Sequence, residues 1–372
     1  MHTHVKKLFY KLILLAPSVL LLSSINFFVD PAHQFSAGYE NKVAKILLSG
    51  RNAVNVDNYD ERLLQKHYIA GLRSAPEIIV LGSSRSMQIE KNLFPGKTFF
   101  NHSVSGGSIE DYYSIYAMYK NKHTLPSTVI LTIDPWVLNR NHGQRRWISV
   151  QEFYNSLADA KMGKFKIFYS RLAAVRNKIT LLFSPSYLQS SLRALYRTIR
   201  IPAKPDMFYA SDGVPPEYAT KMSDGSLSYP AKEVNPSKEE LKKSVLSYTQ
   251  SEPIYSLGGY HAIDKNYVHQ LQHFIDILKT DNVDVIIFLP PYHPFVYDYL
   301  IRSDKYSIIG TAEDTVRMIA QKNNLLLLGS YNPSLCGFSG EDLFDGMHSK
   351  RCSVVDLFKK HGSAIADAIT QQ

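Results

Sequence analysis

Two short patches, far apart in the chain, carry residue types suited to acyl chemistry. Gly82-Ser83-Ser84-Arg85-Ser86 directly follows the apolar run Ile78-Ile79-Val80-Leu81, and Asp345-Gly346-Met347-His348 lies near the C-terminus. A serine hydroxyl attacks an acyl carbonyl only when a neighbouring base takes its proton. His348 is the candidate base, and Asp345, three residues earlier, the candidate group that orients the imidazole and stabilises its charged form. Such sets are recognised by geometry and not by chain order. A serine on a strand-to-helix turn also sits at a positive helix end. Backbone N–H groups of Ser84 and Gly106 are then placed to hold a developing oxyanion, where one donor is worth about 3 kcal/mol of barrier. Two decoys share these patterns: Asp30-Pro31-Ala32-His33, and Gly329-Ser330 after another apolar run.

The elements that must position these groups alternate. Apolar runs at 77–81, 98–102, 128–133, 283–289 and 325–328 read as strands. Helical patterns run through Ile109, Tyr112, Tyr113 and Tyr116, through Ile263, Tyr267, Leu271, Phe274 and Leu278, and through Val354, Val355, Phe358, Ile365 and Ile369. Ser108 with Asp111 reads as a capping box. Strands buried on both faces and alternating with amphipathic helices predict a three-layer α/β/α, flavodoxin-like fold with about five parallel strands. Ligands in such sheets bind beyond the carboxyl ends of the strands, where Ser84, Gly106 and Asp134 all fall. Four parts are expected: a membrane anchor over 1–30, a stalk with a helical piece near 59–72 over 31–75, the α/β domain over 76–135 and 261–372, and a mostly helical insertion or cap over 136–260.

The 372 residues are 45% hydrophobic and 20% charged, which excludes a disordered chain. The net charge of +9 suggests an anionic neighbour, lipid head groups or an acidic polymer. Lys164, Lys166, Arg171, Arg176, Arg193, Arg197 and Arg200 in the insertion face that neighbour or solvent. No nucleic-acid motif stands out. Residues 12–29 are mostly apolar and uncharged, just long enough to span a bilayer. Lys6, Lys7 and Lys11 before them predict a single-pass helix in the cytoplasmic membrane, with the N-terminus inside and the α/β domain outside. A cleaved signal peptide is the alternative, against which there is no good cleavage site. Two cysteines fit an oxidising compartment: a Cys336–Cys352 disulfide would close the loop around Asp345 and His348, worth about 3 kcal/mol. The alternative is two free thiols. Neither has metal-ligand spacing, and no metal or cofactor is expected.

At these residues the chain resembles the SGNH (GDSL-like) hydrolase superfamily, in particular its membrane-anchored branch, whose members resemble the DltD, AlgJ and AlgX proteins. The first block would be Gly82-Ser83-Ser84 with Ser84 as nucleophile. The second would be 101–107 with Gly106 as the oxyanion glycine, and the fifth Asp345 with His348. Leu289-Pro290-Pro291-Tyr292-His293-Pro294 also resembles that branch. The third block departs: Asp134-Pro135-Trp136 stands where an asparagine donor would be expected. The resemblance spans 77–134 and 261–370 and leaves the insertion uncovered.

It implies a serine esterase or O-acyltransferase, O-acetyl in particular, acting on a polysaccharide or other glycan beside a membrane-bound O-acyltransferase. The competing reading is a catalytically inactive, glycan-binding or assembly subunit on the same fold. Arg85, Asp134 and Trp136 are candidates for contacting substrate. The alternatives are a salt-bridging Arg85, a structural Asp134 bonded to neighbouring turns, and a core Trp136. His102 and His293, also near strand ends, read as core or capping histidines.

Overall fold

The computed structural model describes residues 2–30, 35, 38–158, 172, 175, 176, 178–200 and 208–370. Most of the basic piece expected at 161–178, including Lys164, Lys166 and Arg171, lies outside them, as do the side chains of Arg197 and Arg200.

Helices α1 (His2–Val29) and α2 (Tyr39–Leu48) precede strand β1 (Asn52–Val54) and α3 (Glu61–Gly71). Then come β2 (Ile78–Leu81), β3 (Phe99–Asn101), α4 (Ile109–Asn121) and β4 (Thr128–Thr132). After α5 (Gln151–Leu157) and α6 (Pro185–Arg200) follow short strands β5 (Tyr209–Ser211), β6 (Thr220–Lys221) and β7 (Leu227–Ser228). Helices α7 (Ala231–Val234), α8 (Lys238–Gln250) and α9 (Lys265–Thr280) lead to β8 (Asp284–Leu289). The chain ends with α10 (Pro294–Arg302), α11 (Ile308–Lys322), β9 (Leu326–Gly329), α12 (Pro333–Cys336), α13 (Arg351–Lys360) and α14 (Gly362–Thr370).

The aliphatic runs form a five-stranded sheet in the order β3-β2-β4-β8-β9, every pair parallel. They become strands because both of their faces are buried and β-branched or aliphatic residues fit that pleated environment. Ile79, Leu81, Val129, Leu131 and Ile287 pack with residues of α4, α9 and α11. Ile78, Val80, Ile130, Ile286 and Phe288 pack on the other face with Val354, Leu357, Phe358 and Ile365 of α13 and α14. This is the expected three-layer arrangement. Its strand order reverses between β2 and β4, and at such a switch point a crevice opens at the carboxyl ends.

Two expectations are corrected. Among the described residues no helix is long and apolar enough to cross a membrane, which overturns the anchor over 12–29 and the single-pass placement drawn from it. Lysines occupy the first half of α1, and Pro17, Ser23, Ser24 and Asn26 interrupt its remainder. The buried Asn26 amide donates to the carbonyls of Leu181, Leu182 and Ser184, and its oxygen accepts from Ser191 of α6. Residues 38–75 are not a stalk: Val43 and Leu47 of α2, with Leu64, Tyr68 and Ile69 of α3, belong to the core that covers the sheet. The described residues of the insertion are mostly helical, as expected, in α5, α6, α7 and α8. Its strands join β1 in an antiparallel sheet, β5-β1-β6-β7, that binds insertion and N-terminal segment together.

Ile130 lies fully buried at the middle strand. Ile130→Ala is expected to cost about 2–5 kcal/mol by leaving a cavity that the flanking strands cannot close, read as a shift in the urea midpoint.

Candidate active site

The chain turns sharply after β2. Ser83, fully buried, caps the short 3-10 turn Ser84–Ser86 by accepting from the Arg85 N–H. Ser83 therefore faces inward, and Ser84, half-buried, faces the crevice. Ser84 Oγ lies 2.9 Å from His348 Nε2, and His348 Nδ1 lies 2.7 Å from Asp345 Oδ2. An ionised carboxylate only accepts, so Nδ1 carries the hydrogen and Nε2 is left to take the serine proton. Asp345 Oδ1 accepts from the backbone N–H groups of Met347 and His348, which ties the carboxylate to its own loop. Burial works against the charge on Asp345. The His348 ring and those two N–H groups outweigh it and hold the carboxyl below the usual aspartate range. The imidazole stacks on Phe344 at 5.6 Å and 9°. His348 and Asp345 remain 19% and 29% exposed, enough for a ligand to reach them.

The loop after β3 meets this turn closely. A Cβ on Gly107 would stand 2.4 Å from the Gly82 carbonyl oxygen, and one on Gly106 2.6 Å from both Gln144 Oε1 and the Tyr255 hydroxyl. Gly106 also has φ of +60°, so a side chain there meets strain as well as a clash. The N–H groups of Ser84 and Gly106 donate to no group among the described residues.

Three candidates for substrate contact are corrected. The Arg85 guanidinium is buried and fully engaged: Nε donates to Met347 O, Nη1 to Asp134 Oδ1 and Nη2 to Pro290 O, at 2.9, 3.0 and 2.6 Å. Its Cζ lies 3.9 Å from the centre of the Tyr292 ring. Asp134 is buried in the same ion pair. Trp136 is buried, donates to the Gly107 carbonyl and packs edge-on against Tyr255. None of the three lines the crevice. The expected disulfide is not formed either: both cysteines are free, Cys336 buried and Cys352 exposed. Burial pushes the Cys336 thiol up to about 11. Hydrogen bonds close the acid–base loop instead. Asp342 accepts from Ser339, from Ser353 and through its carbonyl from Lys350 N, and Leu343 bridges Ser349.

His102 is a core residue between Gln65 and Tyr119, and His293 caps α10. The decoy Ser330 is buried against Glu313.

The crevice over Ser84 has a volume of about 500 Å³. Beyond Ser84, Asp345 and His348, its wall includes residues absent from the sequence-level candidates: Arg146, Ser244, Ser247, Tyr248, Ser251 and Tyr255. All come from the insertion. The one visible signal was the spacing of Ser244, Ser247 and Ser251, which places three hydroxyls on one side of a helix and its C-cap.

No protein-family model matches the chain, and no curated protein matches it. Among solved structures, a catalytic mutant of Axe2, an acetylxylan esterase from Geobacillus stearothermophilus, is similar with a TM-score of 0.33 and 10% sequence identity, over 81% of this chain and 97% of that one. A likeness this loose carries no argument about chemistry.

Two outcomes are expected. Asp345 has a lowered native pKa, so its stabilisation is fully present above an unfolded value of about 4 and is lost as pH falls through the native value. The difference in melting temperature between wild type and Asp345→Asn should shrink as the pH is lowered from 6 toward that range. Arg85→Met leaves Asp134 buried and uncompensated, which costs about 3–5 kcal/mol. Arg85→Met combined with Asp134→Leu should recover part of that loss in urea unfolding.

Proposed function

We propose that the chain is an SGNH-type serine esterase or O-acyltransferase whose substrate is a short acyl ester, O-acetyl in particular, on a glycan. The observation that carries this reading is the continuous hydrogen-bonded chain from Ser84 through His348 to Asp345 at the floor of an open crevice. Ser84 Oγ attacks the ester carbonyl while its proton passes to His348 Nε2, and Asp345 stabilises the imidazolium. The carbonyl oxygen becomes an oxyanion against the N–H groups of Ser84 and Gly106. Collapse breaks the bond to the leaving alkoxide, which takes the proton from Nε2 and departs as an alcohol. Water or a second sugar hydroxyl then attacks the acyl-Ser84 ester, gives its proton to His348 and releases a carboxylic acid or a new ester. His348 returns the proton to Ser84.

The walls favour a polyhydroxylated substrate. Ser105, Ser244, Ser247, Ser251, Tyr255 and Arg146 offer hydrogen-bonding groups, and Met347 is the only aliphatic side chain among the lining residues. A long acyl chain finds no apolar channel there, whereas an acetyl group on a sugar needs none.

One observation favours the second reading, a non-catalytic glycan-binding subunit. Asp134 stands in place of the asparagine donor and is locked to Arg85, which leaves two backbone N–H groups for an oxyanion. A fluorophosphonate probe and hydrolysis of p-nitrophenyl acetate separate the readings. The wild type should label and turn over. Ser84→Ala should lose labelling and reduce turnover by a factor on the order of 10⁴–10⁶. Ser83→Ala should keep labelling. An unlabelled, inactive wild type overturns the enzyme in favour of the binding role.

A further inference from the structure

The loop that carries Gly106 is gripped from outside the parallel sheet. Both oxygens of the Glu61 carboxylate accept from Ser105, Oε2 from its backbone N–H and Oε1 from its hydroxyl at 3.0 Å. The next residue, Arg62, sets Nε and Nη2 on the two oxygens of Asp111, each at 2.9 Å. Asp111 Oδ2 in turn accepts from the N–H and hydroxyl of Ser108. Two consecutive residues at the start of α3 thus hold both ends of the loop 105–108, with Gly106 between them. The anchorage is stiff at its base. Asp60 caps α3 by accepting from Arg62 N and Leu63 N, and the Arg62 and Asp111 side chains are 2% and 1% exposed. The carbonyl of Ser105 belongs to the same peptide unit as the Gly106 N–H, and Arg146 Nη1 donates to it at 3.5 Å. That unit therefore has a tether on its Ser105 side before any substrate arrives.

We propose that Glu61 and Arg62 are positioning residues for the acyl-transfer step: they fix the direction of the Gly106 N–H relative to Ser84. This rests on the enzymatic reading of the site. Neither residue lines the crevice, so neither contributes to substrate binding in the ground state. A donor serves an oxyanion only within a few tenths of an ångström of its required place, and a displacement of about 1 Å at a reacting centre costs about 10²-fold in rate. Loosening the loop should lower kcat and leave KM in place.

The test uses the full chain with p-nitrophenyl acetate and a fluorophosphonate. Glu61→Ala should lower kcat by about 10–100-fold with KM within twofold of wild type. Glu61→Gln retains one acceptor oxygen and should fall between the two. The fraction of protein finally labelled, which counts folded sites, should be unchanged while the rate constant of labelling drops in step with kcat. Lys66→Ala, on the same helix as Glu61, removes only an exposed ion pair to Glu152 of α5 and should change neither. If Glu61→Ala is insoluble, Glu61→Gln, which keeps the length of the side chain and one acceptor oxygen, carries the test. A reactive wild type whose Glu61 variants keep full kcat, or lose labelled fraction at an unchanged rate per site, overturns this proposal alone. A wild type that neither turns over nor labels overturns the enzymatic reading and this proposal with it.

Discussion

The geometry of the crevice depends on one buried guanidinium. Arg85 follows Ser84 directly and reaches three other segments: Asp134 beyond β4, Pro290 beyond β8 and Met347, one residue before His348. Its face is covered by Tyr292. The ends of three parallel strands and the C-terminal acid–base loop are thereby referenced to one rigid fork. A lysine offers a point charge on a flexible stem and could not hold three acceptors in a fixed plane. Desolvating both charges is costly, and the attraction and hydrogen bonds around the pair offset that cost only while every partner is in place. The separation of Ser84 and His348 follows from this: Ser84 is attached to the fork through the chain, and His348 through the carbonyl of Met347 next to it.

This contact also accounts for the departure at the third strand end. Asp134 gives Arg85 a charge partner, and an asparagine there would leave the guanidinium with a neutral acceptor in place of that charge. The residue at this strand end is committed to structure. Asp134 and Arg85 are best understood as one unit, in which the identity of each follows from the other.

Much of the fold was legible in the sequence because the parallel strands are short, aliphatic and bracketed by amphipathic helices. The contact of Ser84 with His348 and of His348 with Asp345 was legible because a serine after the first strand of the sheet and an Asp-x-x-His before the last helices are brought to one crevice by this fold. The misreadings share a cause. Burial belongs to the folded chain, so Arg85, Asp134 and Trp136, polar or aromatic residues beside a crevice, resembled ligand contacts until packing enclosed them. Strand β1 has three residues, too few to show a period, and without it the segment before the sheet looked like a stalk. The apolar run of α1 suggested a span because hydropathy hides what a single buried Asn26 amide can do against neighbouring carbonyls. The disulfide was inferred partly from the compartment that span implied. Loop 337–350 instead draws its rigidity from the Asp342 carboxylate.

The turn after β2 presents Ser84 and the loop before α13 presents His348, while other parts of the chain supply the walls. The insertion brings the hydroxyls of Ser244, Ser247 and Ser251, and with Gln144 and Tyr255 it covers Gly106. Gln144 donates to Ser256 at 2.6 Å and to the Tyr255 hydroxyl at 3.2 Å, so this cover is itself braced. On the proposed reading the N–H groups of Ser84 and Gly106, which donate to no group among the described residues, are the two left for an oxyanion, and each then carries a larger share of its stabilisation. Electrostatic stabilisation of this kind comes from dipoles that need no reorganisation when charge develops. A site with few donors can compensate only through their placement. The left-handed turn at Gly106, its close contact through Gly107 with Gly82, and the braces reaching it from α3 and the insertion all act on that placement.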